Sequence, residues 1–301
     1  MSEAITFSEY GAPEVLQLSE VTPPEPGPGQ VRIRVRAASV NPLDLKIRSG
    51  LMAAVAPASF PVVPGLDAAG VVDAVGERAG AAVGDEVLGS TTGGSYAEYA
   101  LLDRPVAKPP ALSWEAAASL VTVGRTAHRV LDQLGVEQGQ TLLVHGAGGS
   151  VGVLAVQLAV ARGVTVVGTA GEHDLERVTA LGATAVRYGD GWVERVRAAA
   201  PQGVDAVLDA SGAGVLADSV ALVGDADHVL TIADRAAARY GVRFSAGTSG
   251  QGEESVPELV HLAAEGRLTV PIWRTYPLAQ AAQAHADLEA HRNRGKAVLL
   301  P

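Results

Sequence analysis

The 301-residue chain contains no cysteine, which excludes disulfide bonds and thiolate metal sites. Its seven histidines form no HxxxH or HxH pair, so the sequence predicts no metal site. No apolar run reaches the roughly 18 residues that a membrane-spanning helix needs. The opening stretch, MSEAITFSEYGAPE, carries acids and lacks the apolar segment of a secretory signal. These absences together favour a cytoplasmic protein.

An excess of positive charge is also missing, since the formal net charge is −10. Duplex nucleic acid would be repelled overall, so a nucleic-acid partner is not expected. An anionic ligand must instead be held by local donors, such as backbone N–H groups or a few arginines. The 48% hydrophobic and 19% charged residues are typical of a globular protein, long enough here for two domains.

Two kinds of secondary-structure pattern follow one another along the chain. VRIRVRAASV alternates apolar and charged residues, and with the strand-and-turn segments after it predicts a small antiparallel β unit. WEAAASLVTVGRTAHRVLDQLG predicts a helix that ends near Gly135. Strands and helices then alternate, which predicts a parallel sheet covered on both faces. The tail reads as two helices and a strand, KAVLLP, that we expect to return to the first unit.

A glycine-rich turn, HGAGGSVG, connects the apolar strand TLLV to the helical run VLAVQLAVARG. Glycines at such a turn let the backbone approach a pyrophosphate, and the free N–H groups at the helix start stabilise it. The predicted cofactor contacts in this turn are Gly146, Ala147, Gly148, Gly149, Ser150, Val151 and Gly152. The alternatives are a tight turn without a ligand and the turn of a methyl-donor methyltransferase.

The end of the next strand, Gly168-Thr169-Ala170-Gly171, lacks the acid that binds the ribose hydroxyls of NAD. This favours NADPH over NADH, because it leaves room for a 2′-phosphate. The predicted contacts here are Thr169, Ala170, Gly171, His173, Arg177 and Tyr188. Glu172 and Asp174 would repel the phosphate, and a solvated helix face is the alternative for Arg177.

Several longer segments carry a family resemblance: FSEYGAPEVLQL, VRIRVRAASVNPLDLKIRSG, FPVVPGLDAAGVVDAVG, GSYAEYALL, the glycine turn and RGKAVLLP. The sequence resembles the zinc-independent quinone oxidoreductases of the medium-chain dehydrogenase/reductase superfamily, nearly end to end. The resemblance implies an α/β protein in which a GroES-like, β-rich catalytic domain is split around a doubly wound Rossmann domain. The expected bounds are 1–120 with 258–301 for the first and 121–257 for the second. NADPH bound in the cleft and a homodimer are also implied.

The zinc-containing relatives carry a cysteine where Asn41 stands, a His-Glu pair where Leu66-Asp67 stands, and a four-cysteine lobe that is missing here. Both zinc sites are therefore expected to be absent. Without a Lewis acid, oxidation of an alcohol through its alkoxide loses its usual activator. Reduction of a conjugated carbonyl needs less help, because hydrogen-bond donors can stabilise the negative charge that develops on the carbonyl oxygen.

The resemblance places Asn41 and Lys46, the expected catalytic residues, in a loop that faces the nicotinamide. Asn41 is expected to bind the nicotinamide ribose or the substrate oxygen, and Lys46 to stabilise an enolate or touch the cofactor. The alternatives are a turn-forming Asn-Pro and a solvated lysine. Asp44 is expected to orient the loop. Because the sequence shows no evident buried acid, the proton for the α-carbon is expected to come from solvent.

The resemblance adds further cofactor contacts, namely Thr126, Ser211, Gly212, Ile232, Ala233, Ser245, Ala246 and Lys296. The alternative for Thr126 is an ordinary helix threonine, and for Lys296 a surface charge at a strand start. Arg125 is a candidate for a phosphate or the substrate, and His145 is expected to be a satisfied core residue. The candidate pocket residues are Leu51, Met52, Phe60 and Trp273, each of which could equally be core.

The sequence thus predicts an NADPH-dependent reductase of quinones or α,β-unsaturated carbonyl compounds. One alternative is an enone reductase of secondary metabolism. The other is a nucleotide-binding sensor without turnover.

Overall fold

The computed structural model describes residues 1–247 and 251–301, which divide into two compact units. Unit 1 comprises Met1–Thr122 and Pro257–Pro301, and unit 2 comprises Val123–Val256. In the part of the chain that is described, no helix is both long and apolar enough to cross a membrane.

The elements are numbered in chain order. The strands are β1 Ser2–Thr6, β2 Gln17–Val21, β3 Val31–Val40, β4 Asp67–Val75, β5 Glu86–Thr92, β6 Tyr99–Leu102, β7 Val106–Ala107, β8 Thr141–His145, β9 Thr165–Ala170, β10 Thr184–Arg187, β11 Ala206–Asp209, β12 Val229–Thr231, β13 Arg243–Phe244, β14 Ile272–Pro277 and β15 Lys296–Leu300. The α-helices are α1 Pro42–Arg48, α2 Trp114–Leu134, α3 Ser150–Ala161, α4 Leu175–Ala180, α5 Trp192–Ala199, α6 Leu216–Val223, α7 Val256–Ala264 and α8 Ala281–Glu289.

Unit 1 is built on a sheet in the order β14-β15-β3-β4-β5-β6, with β7 paired to β5. Val31, Ile33 and Val35 of β3 are buried, as the alternating pattern predicts. The C-terminal strand β15 runs antiparallel to β3, with Ala297 opposite Val40. This pairing places the start of β15 beside the end of β3, although the two are far apart in sequence.

Unit 2 contains a six-stranded sheet in the order β10-β9-β8-β11-β12-β13, and every neighbouring pair is parallel. Counted from β8, this is the order 3-2-1-4-5-6 of a doubly wound dinucleotide-binding sheet. The predicted Rossmann architecture is therefore confirmed. The strand order reverses between β8 and β11, and ligands of such sheets bind outside the carboxyl ends of the strands at that point.

Candidate functional site

The glycine turn lies at the reversal point of the unit 2 sheet, between the end of β8 and the start of α3. It is folded by two backbone bonds, from Ala147 N to Thr169 O at 3.0 Å and from Gly149 N to Gly146 O at 2.9 Å. Gly146 has φ of +74°, a left-handed conformation that favours glycine. Gly149 is the N-cap of α3, so the helix begins at Ser150.

Four N–H groups of this turn donate to no acceptor within the described residues, and they belong to Gly148, Ser150, Val151 and Gly152. They gather at the N-terminus of a twelve-residue helix, where the helix dipole also favours negative charge. Glycine is required at position 152 because a Cβ there would lie 2.1 Å from Gly146 O. The turn therefore presents a cluster of backbone N–H groups that can donate hydrogen bonds to the oxygens of a pyrophosphate.

Of the two residues predicted to donate to a 2′-phosphate, His173 and Arg177, the structure places Arg177 against this turn. Arg177 Nη2 donates to Gly148 O and to Asp174 Oδ1, both at 2.8 Å, so the arginine packs on the turn and does not extend from a solvated helix face. Its Nη1 is buried without a hydrogen bond in the described part of the chain. The exposed Tyr188 ring lies next to Gly171, whose added Cβ would be 3.3 Å from Tyr188 Cε1. His173 is exposed.

The remaining predicted contacts of the sheet follow the carboxyl ends of β11, β12 and β13, and these are Ser211, Gly212, Ile232, Ala233, Ser245 and Ala246. Asp209, the last residue of β11, fixes the first of these segments. Its Oδ1 accepts from Ser211 N at 2.9 Å and from Gly212 N at 3.1 Å, and Thr231 Oγ1 donates to its Oδ2 at 2.8 Å. The sheet therefore brings most of the residues predicted for unit 2 to one edge.

His145 is a core residue, as predicted. Its two ring nitrogens are within hydrogen-bond distance of Thr169 Oγ1, at 3.0 Å, and Ser219 Oγ, at 3.2 Å. Burial lowers the pKa of His145 to about 4, so the ring is neutral near pH 7.

Two further candidates lie on α2. Thr126 is half-buried, and Arg125 Nη1 lies 3.3 Å from Glu253 Oε1.

In unit 1, the structure corrects the expected loop around Lys46, which lies on helix α1. Asn41 is the N-cap and Pro42 occupies the first turn. Asp44 Oδ2 accepts from Asn41 N at 2.8 Å, and Asp44 N donates to the backbone oxygen of Asn41 at 2.9 Å. These are favourable helix-start residues, and they stabilise a helix of only seven residues. Lys46 is half-buried, and its ammonium makes no hydrogen bond or ion pair within the described residues.

Two buried carboxylates also overturn the expectation that no buried acid is present. Asp44 is 1% exposed and Asp67 is fully buried. Burial, with the negative charge of Asp67, raises the pKa of Asp44 to about 7, although the Asn41 N–H opposes this. Tyr96 OH donates to Asp44 Oδ2 at 3.1 Å and lies 3.1 Å from His285 Nε2. Burial and the charge of Arg48 lower the pKa of His285 to about 3.

The alternative of a surface charge at Lys296 is wrong, because this side chain is 2% exposed. Its Nζ donates to Asn41 Oδ1 at 2.6 Å and to Val40 O at 2.9 Å.

Among the pocket candidates, Leu51 is 61% exposed, and Phe60 packs edge-on against Tyr10 with ring centroids 5.0 Å apart.

Known proteins resemble this chain over its whole length. Residues 27–111 match the family model of the alcohol dehydrogenase GroES-like domain, and residues 181–299 match that of the zinc-binding dehydrogenases. A quinone oxidoreductase of Lama guanicoe is 34% identical over 100% of this chain and 98% of its own length. The chain belongs to the quinone oxidoreductase family of the medium-chain dehydrogenase/reductase superfamily.

Solved structures of quinone oxidoreductases agree with this membership. The enzyme of Coxiella burnetii has a TM-score of 0.88 at 32% identity, covering 100% of this chain and 99% of the other. The Escherichia coli enzyme, solved in complex with NADPH, also has a TM-score of 0.88, at 27% identity over 99% and 100% of the two chains. The GroES-like domain and the Rossmann sheet expected from the sequence are thus shown.

The family resemblance aligns Asn41, Leu66 and Asp67 with the zinc ligands of zinc-containing relatives. In this structure Asn41 Nδ2 donates to Asp67 Oδ2 at 3.0 Å. Residues 1–247 and 251–301 contain no group of three or more His, Cys, Asp or Glu side chains that could hold a metal ion.

The sequence reasoning missed several residues that shape these sites: Arg48, Tyr96, Asp209 and His285. Asp209 could have been found, because an acid at the end of a central parallel strand is placed to fix the following loop. Arg48, Tyr96 and His285 come together only through tertiary packing, so no local signal marks them.

Proposed function

We propose that this family member is an NADPH-dependent reductase of quinones or α,β-unsaturated carbonyl compounds that works without zinc. The observation that carries the proposal is the set of four unpaired backbone N–H groups at the reversal point of the doubly wound sheet. Family membership supports an oxidoreductase that uses a nicotinamide cofactor, because members with solved structures bind NADPH.

The residues of unit 2 fit this cofactor. The amides of the glycine turn would hold the pyrophosphate, which needs no basic side chain. Arg177, with Tyr188 and His173, would receive the adenosine and its 2′-phosphate. Asp174 is already paired with Arg177, which reduces its repulsion of the phosphate. When bound, NADPH supplies the hydride for the reaction.

In unit 1, Lys46 is the proposed donor to the substrate oxygen. When a hydride joins the β-carbon of an enone, negative charge develops on the carbonyl oxygen, and a donor aimed at that oxygen stabilises the transition state. The ammonium of Lys46 has no partner within the described residues, so it is available for this role. The proton for the α-carbon is proposed to come from solvent, because Asp44 and Asp67 are buried and hydrogen-bonded.

A turnover assay tests the proposal. Purified chain is mixed with NADPH, or NADH in parallel, and with 1,4-benzoquinone or a panel of enones, while loss of reduced cofactor is followed. We expect oxidation that depends on both chain and acceptor and is faster with NADPH. A nucleotide-binding protein without turnover would instead show a higher melting temperature with NADPH and no oxidation, and that result would contradict the proposal.

A cytoplasmic location and a homodimer are part of the same proposal. The homodimer rests on the family resemblance, and the location on the cysteine-free composition. Light scattering during size-exclusion chromatography should give twice the 30.6 kDa chain mass. Cell fractionation should recover the chain with the cytosol. A monomer mass, or recovery with membranes, would contradict the corresponding part.

A further inference from the structure

The side-chain amide of Asn41 lies between two buried, oppositely charged groups of unit 1. Lys296 Nζ donates to Asn41 Oδ1 at 2.6 Å on one side. On the other side, Asn41 Nδ2 donates to Asp67 Oδ2 at 3.0 Å and to Ser39 Oγ at 3.4 Å. All four side chains are at most 2% exposed, so solvent does not compete for these hydrogen bonds.

The charged neighbours decide which way the amide points. An ammonium can only donate hydrogen bonds, and an ionised carboxylate can only accept them. Turning the amide over would place its NH2 against Lys296 and its oxygen against Asp67, with two hydrogen bonds lost in a buried site. The orientation found in the structure is therefore the one that the two charged neighbours require.

The two charged groups are themselves anchored. Lys296 also donates to Val40 O at 2.9 Å, and Thr122 Oγ1 donates to Asp67 Oδ1 at 2.7 Å. Lys296 begins β15 and Asp67 begins β4, and both strands pair with β3, which leads directly into Asn41. The amide is thus held by a rigid part of the sheet.

We propose that Asp67 and Lys296 are positioning residues that lock the Asn41 amide, so that Asn41 accepts a hydrogen bond from a ligand hydroxyl and does not donate one to the substrate oxygen. Both hydrogens of the amide are already engaged, and only the second lone pair of Oδ1 remains. The proposal rests on the function proposed above, because it assigns Asn41 to the hydride-transfer site. The donor role then belongs to Lys46.

The charge on Lys296 should be titratable in an accessible range. Burial lowers the pKa of Lys296 to about 8, and the nearby charges of Asp67 on β4 and Asp44 on α1 limit the decrease. As pH rises through this value, the ammonium becomes an amine and its bond to Asn41 Oδ1 weakens. The lock can therefore be followed by titration.

The composition gives few signals to assign, since the chain has two asparagines, Asn41 and Asn293, and three lysines, Lys46, Lys108 and Lys296. NMR of chain labelled with 15N-asparagine shows two side-chain NH2 groups, and 13C-lysine gives three side-chain signals. We expect the Lys296 signal to titrate near pH 8 and the Asn41 NH2 signals to shift with the same midpoint. Asn293, which donates to Gly295 O, is the internal control.

This measurement needs neither cofactor nor substrate, so it separates the positioning proposal from the proposed function. If the chemical shifts of the Asn41 NH2 signals do not change while Lys296 titrates, the positioning proposal is overturned, even if the chain reduces quinones. Absence of turnover would overturn the proposed function and leave the titration to decide the lock. In Lys296→Met, the Asn41 shift near pH 8 should disappear, and a shift that persists would also overturn the lock.

Kinetics supply a second readout. For the wild type, kcat should fall as pH rises through about 8, the pKa of Lys296. Lys296→Met should lower kcat on the order of 10- to 100-fold, and the decline near pH 8 should vanish. Lys296→Arg keeps a buried donor and should recover part of the loss. Lys108→Met, which removes another buried lysine of unit 1, should keep the wild-type pH profile. Wild-type kcat and pH profile in a folded Lys296→Met variant would contradict the proposal.

Discussion

Gly152→Ala should damage both the fold of unit 2 and its affinity for NADPH. The added Cβ would lie 2.1 Å from Gly146 O and 2.8 Å from Ala147 Cα, both backbone atoms. Because carbon–oxygen contacts below 3.0 Å are essentially never found, the turn and the start of α3 must separate by about 1 Å. Overpacking of this kind costs about 1–3 kcal/mol of stability.

The same displacement spreads the unpaired N–H groups of the turn, so NADPH should bind at least about tenfold more weakly, or about 1.4 kcal/mol. Gly149→Ala is the matched control in the same turn. Its φ is −77°, and the added Cβ would meet only Gly146 O, at 3.2 Å. We expect a much smaller effect from this variant.

Thermal unfolding and calorimetric titration with NADPH measure the two effects for wild type and both variants. A Gly152→Ala variant with wild-type melting temperature would refute the packing reasoning. A variant that is less stable but binds NADPH as tightly as the wild type would refute the assignment of the turn to the cofactor. Equal effects of both substitutions would refute the distinction between positions 149 and 152.

Three further predictions concern unit 1. Lys46→Met should lower kcat/KM by at least about 100-fold with little change in melting temperature, because the substrate oxygen loses its proposed donor. Unchanged kcat/KM in steady-state assays would contradict the donor role of Lys46. Because the pKa of His285 is about 3 in the folded chain and 6.5 when unfolded, the unfolded state binds more protons between these values. Stability should therefore fall by up to about 1.4 kcal/mol for each pH unit below 6.5 from this group alone, and urea unfolding of His285→Gln should show a shallower decline. Asp44 has the opposite sign: its pKa is about 7 folded and 3.8 unfolded, so it contributes stability at low pH that is lost as pH rises towards 7. The stability of Asp44→Asn relative to wild type should therefore rise as pH increases from about 4 to about 7, and a constant difference over that range would contradict the raised pKa.

Unit 2 was largely predictable because its signals are local and periodic. A buried strand, a glycine turn and an apolar helix follow one another within residues 141–161, and the structure forms each of them in that order. Ser211, Ala233 and Ser245 came from the family resemblance, and the structure places them along one edge of the sheet because each follows the carboxyl end of a parallel strand.

Unit 1 was less predictable because its polar centre depends on long-range contacts. Lys296 and Val40, which share a hydrogen bond, are 256 residues apart, and only the β15–β3 pairing brings them together. A lysine at a strand start therefore looked like a surface residue. Helix α1 is too short for apolar periodicity to reveal it, although the spacing of Asn41, Pro42 and Asp44 carries the signal of a capped helix.

Transfer of deuterium tests the central claim of hydride transfer most directly. NADPH deuterated at C4 of the nicotinamide, on each face in turn, is used to reduce an enone, because deuterium on carbon is retained whereas a quinol hydroxyl exchanges with water. Mass spectrometry and NMR of the product locate the label. The account predicts deuterium at the β-carbon from one of the two labelled cofactors. Reduction of the enone with no deuterium on carbon from either cofactor would contradict it.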